Sequence, residues 1–198
     1  MSNQAELAKL QIERTLVLVK PDGVERGLIG DIIMRFEQRG LKVIGLKMVW
    51  IDEEFAKKHY NPKMAPILGQ KSIDDFSKFG VDFEGTVEEL GKKIYKTLID
   101  FITEGPVVAM ALEGIKAVSI VRKIVGLTSP EQSQPGTIRG DYAHIALGYS
   151  TLAGIAAPNI VHASGTPEEA KQELVLWFKE SELFKYKRFD EPKTMGIL

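Results

Sequence analysis

The sequence predicts an α/β (α+β) fold in which a four-stranded antiparallel sheet is covered by helices. Two observations carry this expectation. Four short β-rich apolar runs recur along the chain, and stretches of helical period with recognisable caps stand between them. A third concerns size: at 198 residues, 44% hydrophobic and 27% charged, the chain suits a single domain over 1–198 whose core needs no covalent staples.

Residues 1–13 read as a polar, helix-prone tail. Thr15-Leu16-Val17-Leu18-Val19 is a buried strand that ends at the turn formers Lys20-Pro21-Asp22-Gly23. Ile29, Ile32, Ile33 and Phe36 follow i, i+3, i+4, i+7 spacing with Gly40 just beyond, an amphipathic helix and its C-terminal glycine. Leu41 to Trp50 alternates and predicts a second strand with Ile44, Leu46, Met48 and Trp50 on one face. Asp52 caps a short helix with Glu53 and Glu54 in its first turn. Residues 61–85 show no clean period. Thr86-Val87-Glu88-Glu89 forms a capping box that opens a helix to about Ile102.

Pro106 to Leu112 predicts the third strand, and Lys116 to Val125 a helix closed by Gly126. A loop over Leu127–Gly140 and an ambiguous Ala- and Gly-rich stretch over 143–158 follow. Asn159 to Ala163 predicts the fourth strand, and Thr166-Pro167-Glu168-Glu169 starts the last helix with a capping box and a proline at its first position. The order β-α-β-(α,α)-β-α-β-α is closest to the ferredoxin-like split βαβ plan.

Composition removes several function classes. The absence of cysteine excludes disulfides, thiolate zinc sites and cysteine nucleophiles. A net charge of −1 does not advertise nucleic acid, and a ferredoxin-like RNA binder would need interleaved basic and aromatic strand residues that are missing here. No apolar run reaches membrane-spanning length and no signal peptide is evident, so the expectation is a cytoplasmic protein that needs no membrane. There is no Walker A loop, no Gly-x-Gly-x-x-Gly, and no carboxylate cluster at metal-ligand spacing. Phosphate handling would have to rest on side chains.

Such side chains exist. Lys20 closes a strand, Arg122 lies on a helix that ends near Thr128, and Arg139 sits in a loop, although most of the 26 basic residues must be ordinary surface charges. His162 is one of three histidines. It follows a short apolar run and precedes a helix start, where an imidazole can be held at a sheet edge near a phosphate-attracting helix N-terminus. A histidine in such a place is more often packed or solvated than catalytic, so its neighbours decide.

Four blocks in order do so: Lys20-Pro21-Asp22-Gly23-Val24-x-Arg26-Gly27, Gly105-Pro106-Val107-Val108-Ala109-Met110, Pro135-Gly136-Thr137-Ile138-Arg139-Gly140-Asp141, and Asn159-Ile160-Val161-His162. Together with Glu37-Gln38-Arg39-Gly40 and Leu176-Trp177-Phe178 they resemble the signatures of nucleoside diphosphate kinases over most of residues 13–180. The resemblance implies a ferredoxin-like fold and ping-pong transfer of a terminal phosphate from ATP or another nucleoside triphosphate to a nucleoside diphosphate, through a phosphohistidine at His162. It also implies that Lys20 and Asn159 meet the ribose 3′-hydroxyl region, with Lys20 reaching the phosphates as well. Arg122, Thr128 and Arg139 would bind the β- and γ-phosphates. Tyr60 would stand near the site, Glu173 would orient His162 and support its charge, and Ser164, two residues past His162, would be a further catalytic residue.

Mg²⁺ is implied as a cofactor carried mainly by the phosphates, and a homo-oligomer, hexamer or tetramer, as the assembly. Two departures stand out, insertions near 61–100 and 143–158. Counting back from Gly105 puts Ile94 where the family stacks an aromatic ring on the base, with Leu98 as a neighbouring apolar contact. His59 and His144 read as structural or surface residues. A nucleotide-binding or interaction module that has lost efficient transfer is the competing class; the intact His162, Lys20, Arg122, Arg139 and Asn159 argue against it.

Overall fold

The computed structural model describes residues 12–78 and 80–191, so the expected N-terminal tail lies outside them up to residue 11. Strands β1 Ile12–Val19, β2 Lys42–Val49, β3 Val107–Ile115 and β4 Val161–Ala163 form one sheet in the order β2-β3-β1-β4. Every neighbouring pair is antiparallel, as in the expected ferredoxin-like arrangement. The helices are α1 Pro21–Glu25, α2 Ile29–Gln38, α3 Glu53–His59, α4 Ala65–Lys78, α5 Val87–Thr103, α6 Ala117–Val125, α7 Ile138–Tyr142, α8 Leu147–Leu152 and α9 Pro167–Trp177.

Strand alternation divides the core into two layers. Val17 and Val19 of β1 face Ile32 and Phe36 of α2 and Val121 and Val125 of α6. Leu16 and Leu18 face Ile99 and Ile102 of α5 and Leu174 and Trp177 of α9. β1 is buried on both faces over Leu16–Val19, which is why it reads as a continuous apolar run rather than an alternating one.

Several boundaries differ from the sequence reading, each for a local reason. β1 begins at Ile12 and β3 runs to Ile115 because the two pair along their whole length, Ile12 opposite Ile115. The polar residues that disguised those ends form a cluster instead: Glu113 accepts ion pairs from Arg14 at 2.9 Å and Lys42 at 2.8 Å. The Lys20–Gly23 turn is the start of α1, with Pro21 in its first turn. The loop over Leu127–Gly140 contains a 3-10 turn, Pro130–Gln132, and the start of α7.

The alternation of β2 is broken by a bulge. Val43 pairs with Leu112 and Gly45 with Ala111, so Ile44 is the extra residue. The slip sends Ile44 into the α5–α9 layer, while Leu46 and Met48 pair opposite Met110 and Val108 on the other face. Leu46, Met48 and Trp50 are consequently exposed rather than aligned with buried Ile44. The segment after α9 fastens the bulged end: Phe184 N–H donates to Ile44 O (2.7 Å), the Tyr186 hydroxyl to Val43 O (2.8 Å), and Arg188 to Leu41 O (3.0 Å).

The aperiodic stretch 61–85 holds a 14-residue helix, α4, that was not expected. It lies backbone to backbone on α5. A Cβ on Gly91 would fall 2.0 Å from Ala65 O, and one on Gly69 2.1 Å from Val87 O, so only glycine permits this crossing. α5 itself opens with the expected Thr86–Glu89 capping box. At α9 only half of that motif forms: Thr166 accepts from Glu169 N–H, while the Glu169 carboxylate turns to Gly165 N–H at 2.7 Å.

Candidate active site

β4 is shorter than its sequence suggests because Ile160 has φ +69°. A β-branched residue in the left-handed region costs about 1–3 kcal/mol and persists only where its surroundings hold it. Here they do. Ile160 N–H donates to Asp22 Oδ2 at 2.9 Å, and Ile160 O accepts from Lys20 N–H at 2.9 Å. Arg139 grips the flanking carbonyls, Asn159 O at 3.2 Å and Val161 O at 2.7 Å. The kink ends the strand and launches His162 from a backbone fixed on both sides.

His162 pairs with Leu18 in the sheet and is partly buried between Val161 and Ala163. Its Nε2 lies 2.7 Å from Glu173 Oε1. The Ser164 hydroxyl donates to Glu173 Oε2 at 2.5 Å and accepts from Leu16 N–H at 3.3 Å. With the carboxylate taking a proton-bearing Nε2, the neutral ring is left with a free lone pair on Nδ1. Glu173 is buried, so this contact works in a low-dielectric setting.

In front of His162 lies a cavity of about 410 Å³. Lys20, Thr128, Arg139, Asn159 and Tyr60 line it together with His162, and Ile94 and Leu98 line it farther out. Lys20 is buried, stacks its ammonium 4.6 Å from the Phe101 ring, and has its pKa lowered to about 8, first by desolvation, then by Arg139, against the pull of Asp22 and Glu104. Burial likewise lowers Arg139 to about 10, with Arg122 adding to the effect. Four of the guanidinium's five N–H donors are spent on carbonyls, the two above plus Gly126 O at 3.2 Å and Leu127 O at 3.0 Å. One donor is left for the cavity. Asn159 donates to Thr128 O at 2.9 Å and ties the two loops together. The buried Tyr60 hydroxyl is pushed up and stays neutral.

Of the residues expected from sequence, Arg122, Ser164 and Glu173 do not line the cavity. Ser164 and Glu173 stand behind His162; Arg122 is exposed on α6, close enough to act on Arg139 electrostatically. His144 is exposed, as read. His59 is different: its side chain is fully buried and its ring centroid lies 4.5 Å from that of His162. The outer wall was also missed. Met64, Leu68, Lys71, Ser72 and Asp75 of the 61–78 stretch line it, and so do Leu147, Thr151 and Ile155 from the 143–158 segment. Leu68, Lys71, Ser72 and Asp75 share one face of α4, with Asp74 beside them and Met64 in the 3-10 turn before it, a signal hidden because that face mixes apolar and polar residues. α4 and α8 touch, so the two segments meet beside the cavity.

An imidazole with one lone pair exposed, a carboxylate behind it and buried cations in front define a site built to take up an anionic group. The comparisons make this specific. A family model described as nucleoside diphosphate kinase matches residues 13–76 and 86–183. The chain belongs to the nucleoside diphosphate kinase family, whose members are phosphotransferases. It is 44% identical over 180 residues to a nucleoside diphosphate kinase of Thermococcus kodakarensis, covering 91% of this chain and 84% of the relative. Its fold matches a nucleoside diphosphate kinase of Borrelia burgdorferi solved as a transition-state mimic with bound vanadate and ADP: TM-score 0.77, 38% identity, 93% of this chain and 97% of the other. A Pyrobaculum aerophilum NDP kinase superposes with TM-score 0.83 at 41% identity, covering 88% of this chain and all of the other. Within the long stretch between Tyr60 and Gly105 only residues 77–85 fall outside the family match.

Proposed function

We propose that this chain is an active nucleoside diphosphate kinase in which His162 Nδ1 attacks the terminal phosphorus of a nucleoside triphosphate. The observation that carries the reading is the 2.7 Å contact between His162 Nε2 and Glu173, which turns the other nitrogen into the nucleophile. The new N–P bond forms as the bond from phosphorus to the β-phosphate bridging oxygen breaks, and that oxygen leaves with the electron pair. The nucleoside diphosphate departs. The imidazole, now phosphorylated on Nδ1 and still protonated on Nε2, carries a positive charge that the Glu173 carboxylate balances. A second nucleoside diphosphate then takes the phosphoryl group by the reverse path, so one cavity serves both substrates.

Lys20, Arg139, Thr128 and Asn159 would hold the phosphates and ribose, with Arg122 adding charge from outside. No carboxylate lines this end of the cavity among the described residues; Asp74 and Asp75 are on α4. That fits Mg²⁺ held by phosphates and water, where it would neutralise phosphate charge during transfer. Ile94 and Leu98 would contact the base. The exposed Leu46 and Met48 on edge strand β2, with Trp50 just past its end, support a homo-oligomer, and the mass in solution by light scattering tests it. No helix of the described residues is long and apolar enough to cross a membrane; a cytoplasmic setting is the expectation that goes with the family.

Protein mixed with γ-labelled ATP and Mg²⁺ should become labelled, and added GDP should remove the label as GTP. His162→Gln should take up none. An unlabelled wild type, or a labelled variant, overturns the reading.

A further inference from the structure

His59 is a buried titratable group that the transfer reaction above does not use. It ends α3, and three aromatic or imidazole rings enclose it: Tyr60 with centroids 4.6 Å away, His162 at 4.5 Å and Trp177 at 5.4 Å. Its Nδ1 accepts a hydrogen bond from Trp177 Nε1–H at 3.2 Å. An indole nitrogen can only donate, so His59 Nδ1 must offer its lone pair and cannot carry a proton. The proton of the neutral ring therefore sits on Nε2, which is buried without a hydrogen-bond partner.

The consequence lies in the next contact. His59 Nδ1 is 3.6 Å from Glu173 Oε1, the same oxygen that receives His162 Nε2 at 2.7 Å. A proton on His59 Nδ1 would find a carboxylate within easy reach and compete with His162 for it. Trp177 occupies that lone pair. Glu173 and Trp177 are four residues apart on α9 and both are buried, so one face of the helix directs both imidazoles.

We propose that Trp177 locks His59 as the Nε2–H tautomer, which reserves the Glu173 carboxylate for His162 and braces the nucleophile's ring. His59 and Trp177 are then positioning residues. Neither lines the cavity, and they act through His162 and Glu173. Burial, and His162 after it, hold the His59 imidazole well below the ordinary histidine range, which keeps it neutral beside the nucleophile. The groups that face it are His162 on β4, Glu173 and Trp177 on α9, and Tyr60 next to it in the chain.

The inference rests on the kinase reading, and its test separates the two. Wild type that fails to label from ATP removes that reading. With labelling established, ring-nitrogen NMR of the ¹⁵N-histidine protein should show His59 protonated on Nε2 and unprotonated on Nδ1, without titration between pH 5.5 and 8.5. His59→Asn keeps an acceptor for Trp177 and removes the ring; it should label roughly tenfold more slowly or worse at an unchanged KM for ATP, because a small misplacement of a nucleophile costs that much. Trp177→Phe keeps the ring packing and removes the donor. Its His59 should show both tautomers, and the pH profile of labelling should shift while KM holds. A proton on His59 Nδ1 in the wild type overturns the proposal, as does wild-type labelling with an unshifted pH profile in either variant. Should His59→Asn fail to fold, the wild-type spectrum and Trp177→Phe decide.

Discussion

At the histidine end of the cavity the side chains are tied in fixed directions. Arg139 holds four carbonyls, Asn159 bridges to Thr128, and Glu173 is shared between His162 and Ser164. The α4–α8 end is built otherwise. Leu68, Ile94, Leu98 and Ile155 give it apolar contact area, and its hydroxyls turn back on their own helices, Thr97 to Ile94 O, Ser150 to Ala146 O and Thr151 to Leu147 O. One end specifies geometry; the other supplies non-directional contact. That division suits a ligand with one constant part, the phosphates, and one variable part, the base.

If the comparison is right, damage at the first end should fall on turnover and damage at the second on binding. Arg139→Ala removes the clamp on Asn159 and Val161 along with a cation, so turnover should drop by about 10²-fold or more. A steady-state assay in which only KM rises would break the contrast. Next in size is a pH effect from Lys20. In the empty protein this lysine loses its proton near pH 8, whereas phosphate favours the charged form. Nucleotide affinity should hold below pH 8 and fall about tenfold per unit above it. The empty protein should change in the opposite sense. Between pH 8 and the ordinary lysine value the unfolded chain binds the extra proton, so stability should rise by up to about 1.4 kcal/mol per unit. Titration calorimetry and denaturant melts over pH 7–10 measure both, and Lys20→Met should flatten both.

At the other end, Gly91→Val puts a side chain into Ala65 O and must push α4 away. It should lower Tm by roughly 5 °C and raise KM for nucleoside diphosphates, with labelling at saturating ATP nearly unchanged. Leu98→Ala should do least, about a fivefold rise in KM for the loss of about 1 kcal/mol of apolar contact. A large loss of turnover in either variant would show that the two ends are mechanically linked.

The same contrast explains what could be read from sequence. The four strands, α2, α5 and α9 follow from periodicity and caps, because their apolar faces meet the core. The histidine end was legible through the short blocks that resemble the family's signatures, in which Lys20, Arg139 and His162 sit beside turn residues. α4 was not, because its cavity face mixes Leu68, Lys71, Ser72 and Asp75 and so has no apolar period. Its attachment depends on Gly69 and Gly91, which single-sequence reasoning takes as helix breakers. The β2 bulge was hidden because alternation persists in the letters while the register slips. His59 was passed over because its neighbours His162 and Trp177 are more than 100 residues away in sequence.

The strand that carries His162 consists of three residues paired to the opposite end of the chain, Val17–Val19 against Val161–Ala163. α4 and α5 lie close together in sequence and can form while the chain is still being made, since closing a short loop costs little entropy. The site cannot. Glu173 and Trp177 come after His162 in the chain, on the helix that packs on β1, so a growing chain holds His162 without its carboxylate partner until that helix has emerged. A chain cut short before residue 173 would carry the cations and His162 without the carboxylate that fixes the imidazole.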